Sequence, residues 1–162
     1  MALLFDPYDP FPTPSRDLAK TAEDFIVGWA RDAPRGVALL VHLPRDEISD
    51  ASETALKEAI RRHFTYRADR VRGDLQELFR YGRISLAVGL AVLGLCVLGG
   101  RMIGVMFADG PAARFFSEGL IILGWVANWR PIEIFLYDWW PLLQRRRLFQ
   151  RIAAAQVAIR LN

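Results

Sequence analysis

"ISLAVGLAVLGLCVLGG", Ile84 to Gly100, is seventeen residues without a charge. As an α-helix it is about 26 Å long, just under the ~30 Å hydrocarbon core of a bilayer. Extending it to Phe107 takes in a single cation, Arg101, whose long stem lets its head reach the far headgroups. The stretch reads as a first transmembrane helix over about 84–106. Glycines at 89, 94, 99, 100 and 104 suit close helix packing, and Gly100 with Gly104 is the one GxxxG match.

Downstream, "ADGPAAR" (108–114) reads as a short turn, followed by a second apolar segment over about 115–140. That segment is not uniformly oily. It contains "NWRPIEIFLYDWWP", Asn128 to Pro141, and Arg130 is the twelfth of the nineteen residues from Gly119 to Tyr137. A lone arginine at the middle of a straight crossing costs from ~3 to more than 10 kcal/mol, so a compensating group is expected. Glu133, three positions on, is one candidate. The Ala127 carbonyl, freed because Pro131 has no N–H, is another. Phe135, Tyr137, Trp139 and Trp140 resemble the aromatic belt found at headgroup level. The preferred reading is a kinked crossing with the Arg130–Glu133 pair low in the inner leaflet. The alternative turns the chain into the interface after Trp129, leaving an apolar leg of eleven residues, about 17 Å and too short to cross alone.

Arginines flank the segments asymmetrically: five in 64–83, five in 141–160 and two between the spans. By the positive-inside rule both chain ends are cytoplasmic and the spans form a hairpin over 81–143. "MALLFDPYDP" has neither a basic start nor a long apolar core, so no signal peptide is read there and the first half is expected in the cytoplasm. The location expected is a bacterial-type inner membrane.

Upstream of the spans, residues 1–15 hold prolines at 7, 10, 12 and 14 and read as an extended, loosely held tail. Residues 16–31 place Leu18, Ala22, Phe25, Ile26 and Trp29 at helical spacing with Ser15 as a cap. Phe25, Val27 and Trp29 also alternate, so a strand competes. "DAPRG" (32–36) is a turn, and "VALLVHL" (37–43) is of strand length, closed by Pro44. A long amphipathic helix over about 51–80 starts at an Asp50–Glu53 capping box. Its apolar stripe is Leu56, Ile60, Phe64, Ala68, Val71, Leu75 and Leu78. Its basic face carries Arg61, Arg62, Arg67, Arg70 and Arg72, and Gly73-Asp74 is a candidate kink. After the spans, 144–162 reads as a short amphipathic helix at the membrane surface and a strand, "QVAIRL" (156–161). Because one strand cannot satisfy its own backbone, 37–43 and 156–161 are expected to pair. The fold class expected is α+β: a small cytoplasmic head, with a two-strand sheet built from both chain ends, on a two-helix transmembrane hairpin.

The chemistry visible in these residues is sparse. Net charge is +3, too mild to favour nucleic acid as a partner. Nineteen of the 21 basic residues are arginine, which suits lipid phosphates and equally suits a compositional bias. The single Cys96 precludes an internal disulfide. His42 and His63 lie 21 positions apart without HExxH or CxxC, and there is no GxSxG, P-loop or dinucleotide fingerprint. No cofactor or metal is expected, and catalysis is not the favoured reading. The candidate site is an intramembrane polar stretch of Asn128, Arg130, Glu133 and Asp138. Trp129, Tyr137, Trp139, Trp140, Arg145, Arg146 and Arg147 are its interface anchors. The function expected is a non-catalytic accessory, assembly or scaffold subunit. Its partners would be anionic lipids and either other membrane subunits or further copies of itself. Two alternatives are lipid-headgroup binding or modification by the Arg130/Glu133 stretch and an oligomeric proton or ion pathway.

Overall fold

The computed structural model describes residues 4–6, 8–10, 17–33, 37–43, 50–107 and 110–161. The elements are α1 (Lys20–Asp32), β1 (Ala38–Leu43), α2 (Asp50–Met106), α3 (Pro111–Ala127), α4 (Trp129–Glu133), a π-helical turn (Ile134–Asp138), α5 (Trp139–Ala153) and β2 (Gln156–Leu161). The chain divides into two compact units, one made of residues before 73 and after 142, the other of 73–142. The protein is mostly helical, with one two-stranded sheet. Two helical stretches, Glu53–Met106 and Pro111–Ala153, are long and apolar enough to cross a membrane.

In the first unit the chain ends meet as the strand patterns require. β1 and β2 pair in parallel, Ala38 beside Gln156 through Leu43 beside Leu161. Side chains alternate across a strand: Leu39, Val41 and Val157 are partly covered, whereas Leu40, His42, Gln156 and Arg160 are exposed. A parallel pair needs a long crossover, and here everything from α2 to α5 lies within it.

The α2 stripe packs as its spacing demands. Leu56, Ile60 and Phe64 are at most 1% exposed, and Ala68, Val71 and Leu75 are buried. Phe149 and Ile152 of α5 are buried in the same unit, Phe149 with its ring 6.2 Å from that of Phe64. Each fully buried side chain of this size contributes roughly 1.5–3 kcal/mol. The stripe's last expected member, Leu78, is only partly buried.

Five expectations are corrected. Residues 17–19 are not helical: α1 starts at Lys20, and Leu18 forms an antiparallel bridge with Phe5. Leu4–Asp6 are therefore extended but not loose. The Asp6 N–H donates to the Asp17 carbonyl and the Ala19 N–H to that of Leu4, leaving Phe5 3% exposed. The covered side of α1 is also rotated: Ala22 and Ile26 stay partly buried, but Phe25 and Trp29 are exposed while Glu23 and Ala30 are buried. At Gly73-Asp74 there is no break, and α2 is helical throughout 50–106. The 108–114 turn is shorter than expected: Gly110 caps α3 and Pro111 occupies its first turn, where the missing N–H costs nothing. The Ser15 cap, the 34–36 part of the turn, Pro44 and the Asp50 side chain lie outside the described residues.

The second unit is a helical hairpin. Gly82 meets Ile134 and Phe135, Gly89 meets Asn128, Gly124 meets Leu93 and Cys96, and Gly100 meets Ser117. Numbers rise along α2 as they fall along the return leg, so the two are antiparallel. Gly82, Gly89 and Cys96 recur every seven residues, the period that keeps one seam facing a partner helix. A Cβ at Gly89 or Gly124 would lie 2.6–2.7 Å from atoms opposite, so close approach of the two backbones depends on these glycines. The GxxxG pair read from the sequence marks only one end of this seam.

Candidate functional site

The return leg breaks where its composition changes. Asn128 leaves α3 with φ −91° and ψ −2°, and Pro131 three residues later cannot donate to the Ala127 carbonyl. The backbone resumes as α4, widens to a π-helical turn and tightens again at Trp139. The Trp139 indole N–H donates to the Phe135 carbonyl at 2.9 Å, one of the carbonyls such an irregular ladder leaves short of a donor.

This irregular stretch gathers three of the four expected polar residues. Arg130 Nη1 lies 3.2 Å from Glu133 Oε2 and 3.1 Å from Asp138 Oδ2. The Trp129 indole donates to Glu133 Oε1 at 2.9 Å. All three charged side chains are partly exposed, Arg130 by 53%. Arg130 is neutralised by carboxylates, and the expected partner Glu133 is joined by Asp138. The group carries one more negative than positive charge, which disfavours it as a site for an anionic headgroup.

Asn128 stands apart from the cluster. It is 6% exposed, and its amide donates to the carbonyls of Gly89 and Gly124 at 3.0 and 2.9 Å. It thereby closes the backbone gap at the end of α3 and ties that end to α2. Its Oδ1 has no N–H or O–H donor and faces the Cα of Gly89, where a Cβ would meet it at 2.6 Å.

The anchors divide similarly. Trp129, Tyr137 and Trp140 are exposed, and Trp139 stacks edge-on against Trp140 with ring centroids 5.5 Å apart. Arg145 lies over the Phe149 ring at 5.5 Å. Arg146 is partly buried with its Nε unpartnered, and Arg147 is exposed. On the basic face Arg61 is bonded to Glu58 at 2.9 Å, Arg70 lies over Tyr66, and Arg67 turns inward; Arg62 and Arg72 are exposed. The Arg61 hydrogen bond holds the Glu58 carboxyl below the usual carboxylate range.

One polar group escaped the sequence reading. His63, 8% exposed, has Nδ1 3.3 Å from Asp17 Oδ1 and Nε2 3.3 Å from Glu23 Oε2. Arg67 Nε donates to the other Glu23 oxygen at 2.7 Å, and its guanidinium lies over Phe149. His63 and Arg67 sit four residues apart on one flank of the α2 stripe, which is a legible pairing. Their carboxylate partners lie forty or more positions away, beyond the reach of local pattern. Among the described residues no group of three or more His, Cys, Asp or Glu side chains is placed to hold a metal ion.

Comparison with known proteins adds no relative: no family model, curated protein or solved structure matches this chain.

Proposed function

We propose that the chain is a two-span membrane protein that serves as a non-catalytic subunit of a larger membrane assembly. The observation that carries this reading is the inverted packing of the second unit. Between its two helices the buried positions are mostly small or polar, Gly82, Gly89, Cys96, Gly100, Ala113, Gly124 and Asn128, with Leu75, Pro131 and Ile134 the larger exceptions. Its large apolar side chains face outward, among them Leu95 at 70%, Val105 at 86%, Phe115 at 74% and Trp125 at 64% exposure. Water would penalise that arrangement heavily, whereas lipid does not.

The pairing also supports a shallow position for Arg130 in the membrane. From Arg83 to Arg101 is eighteen residues of helix, about 27 Å, close to the hydrocarbon thickness. Asn128 sits against Gly89, which puts Arg130 opposite position 87, about 6 Å inside Arg83. At that depth the side chain snorkels towards the inner headgroups while Glu133 and Asp138 offset its charge. Both termini then belong on the cytoplasmic side of an inner membrane, in keeping with the flanking arginines.

A subunit role accounts for the exposed aromatics of the first unit. Phe25 and Trp29 are 67% and 70% exposed, with rings 6.2 Å apart. Exposed aromatic pairs are favoured centres of protein interfaces. Gentle extraction from the native host and mass determination should find the chain in a complex. Phe25→Ala/Trp29→Ala should release the partner with the helical content unchanged. A lone monomer with nothing bound overturns the subunit reading.

A further inference from the structure

We propose that the hairpin binds one anionic phospholipid at its Arg101 end, an acyl chain lying along Gly100 and Gly104 with the phosphodiester on Arg101; this rests on the membrane reading above. A groove of about 660 Å³ opens there between α2 and α3, floored by the two glycines and walled by Val97, Val105 and Ile121. That volume falls in the range of small-molecule sites. The glycines make the groove. The Ser117 backbone lies 3.4 Å from where a Gly100 Cβ would stand, and Gly104 lines the groove one turn further along α2.

The polar rim defines the occupant. Ser117 lines the groove, but its hydroxyl already donates to the Arg114 carbonyl at 3.0 Å. Arg101 is the remaining polar side chain of the lining, and among the described residues it has no carboxylate within ion-pair distance. Arg130, at the other end of the hairpin, has two. A guanidinium at the edge of an apolar slab needs an anion, and a phosphodiester matches its fork of donors. Arg101 lies five residues from the end of α2 at Met106, about 8 Å along the axis, which is within reach of headgroup level. The exposed charges on the facing part of α3, Arg114 and Glu118, are of opposite sign, so the α3 side adds no net charge to the rim.

The full chain, reconstituted with either phosphatidylglycerol or phosphatidylcholine and washed free of loosely held lipid, tests this by native mass spectrometry. The wild-type chain should keep one phosphatidylglycerol and little phosphatidylcholine. Arg101→Gln should lower retention about tenfold, the effect of losing one hydrogen bond to a charged group, and Gly104→Leu should lower it comparably by placing a bulky side chain in the groove lining. Gly94→Leu, at a site with nothing within 4 Å, should leave it unchanged. Membrane-inserted protein that keeps no phosphatidylglycerol, or variants that keep as much as wild type, overturn the lipid site and leave the membrane reading intact. A lipid-free dimer abolished by Gly104→Leu assigns the groove to a second copy and equally overturns it. Recovery of the chain in the aqueous phase after alkaline extraction removes the membrane reading and this proposal together.

Discussion

Two glycines of α2 show how far a single residue's role depends on what faces it. Gly89 and Gly94 are indistinguishable in composition terms, yet a Cβ on the first would strike Asn128 Oδ1 at 2.6 Å and the Ala127 carbonyl at 3.1 Å, while one on the second meets nothing. Gly89→Ala should therefore destabilise the hairpin by about 2 kcal/mol, within the range for overpacking a close contact. Gly94→Ala should be neutral or slightly stabilising, since alanine is the better helix former. Thermal unfolding of both in one detergent checks the pair of outcomes, and equal behaviour would refute the seam. Arg130 gives the second case at this scale. Glu133→Gln with Asp138→Asn removes both of its carboxylates, and the unpaired cation should then reduce correctly inserted protein by an amount equivalent to about 3 kcal/mol. Restoration of insertion by Arg130→Gln in the same background would show that charge, and not shape, is responsible.

Helices and strands were legible to the extent that their cause is local. The period of 3.6 in α2 and the period of 2 in β1 and β2 are written in consecutive residues, and the structure has those elements. α1 is a helix as expected, but its inward side is rotated from the apolar stripe towards Glu23 and Ala30. Its pattern of Ala22, Phe25, Ile26 and Trp29 marks an apolar face. Its Phe25–Trp29 edge lies outward, with Ala22 and Ile26 partly covered, because the neighbouring Glu23 is claimed by His63 and Arg67. A buried carboxylate persists only with partners, so the network dictates which side of α1 faces in. Arg67→Ala should accordingly cost about 2–3 kcal/mol, an amount discounted from the loss of a fully buried pair because Arg67 is 31% exposed. Chemical denaturation followed by a first-unit probe measures it. A loss below about 0.5 kcal/mol, typical of a surface pair, would contradict the assignment.

For the molecule as a whole, the decisive question is which side of a membrane each segment occupies. A two-span hairpin puts the stretch between α2 and α3 on the side opposite both termini. A cysteine introduced at Glu118 on a Cys96→Ala background should react with an impermeant thiol reagent from outside intact cells. One introduced at Lys20 should react only after permeabilisation. Labelling of position 118 only from the cytosol would undo the topology and, with it, the depth of Arg130. The folded chain also explains why its ends converge. β1 and β2 lie 112 residues apart and have no other strand to pair with among the described residues, so backbone hydrogen bonding brings them together.

By itself the amino-acid sequence determined the elements and their polarity: a run with one charge long enough to span, a second run interrupted by Asn128, Arg130 and Pro131, a stripe of seven apolar positions, and two strand patterns. These follow from side-chain periodicity and hydrogen-bond supply within a few residues. Tertiary structure decided everything that needs a distant neighbour. It separated Asn128 from the Arg130 cluster, added Asp138 to that cluster, buried Glu23 beside His63, and selected Gly82, Gly89 and Gly124 as the close-packed seam. The physical reason is common to all of them. Burial and charge pairing are set by atoms brought together across tens of residues, and the energy of a buried charge or a helix contact depends on which atoms those are.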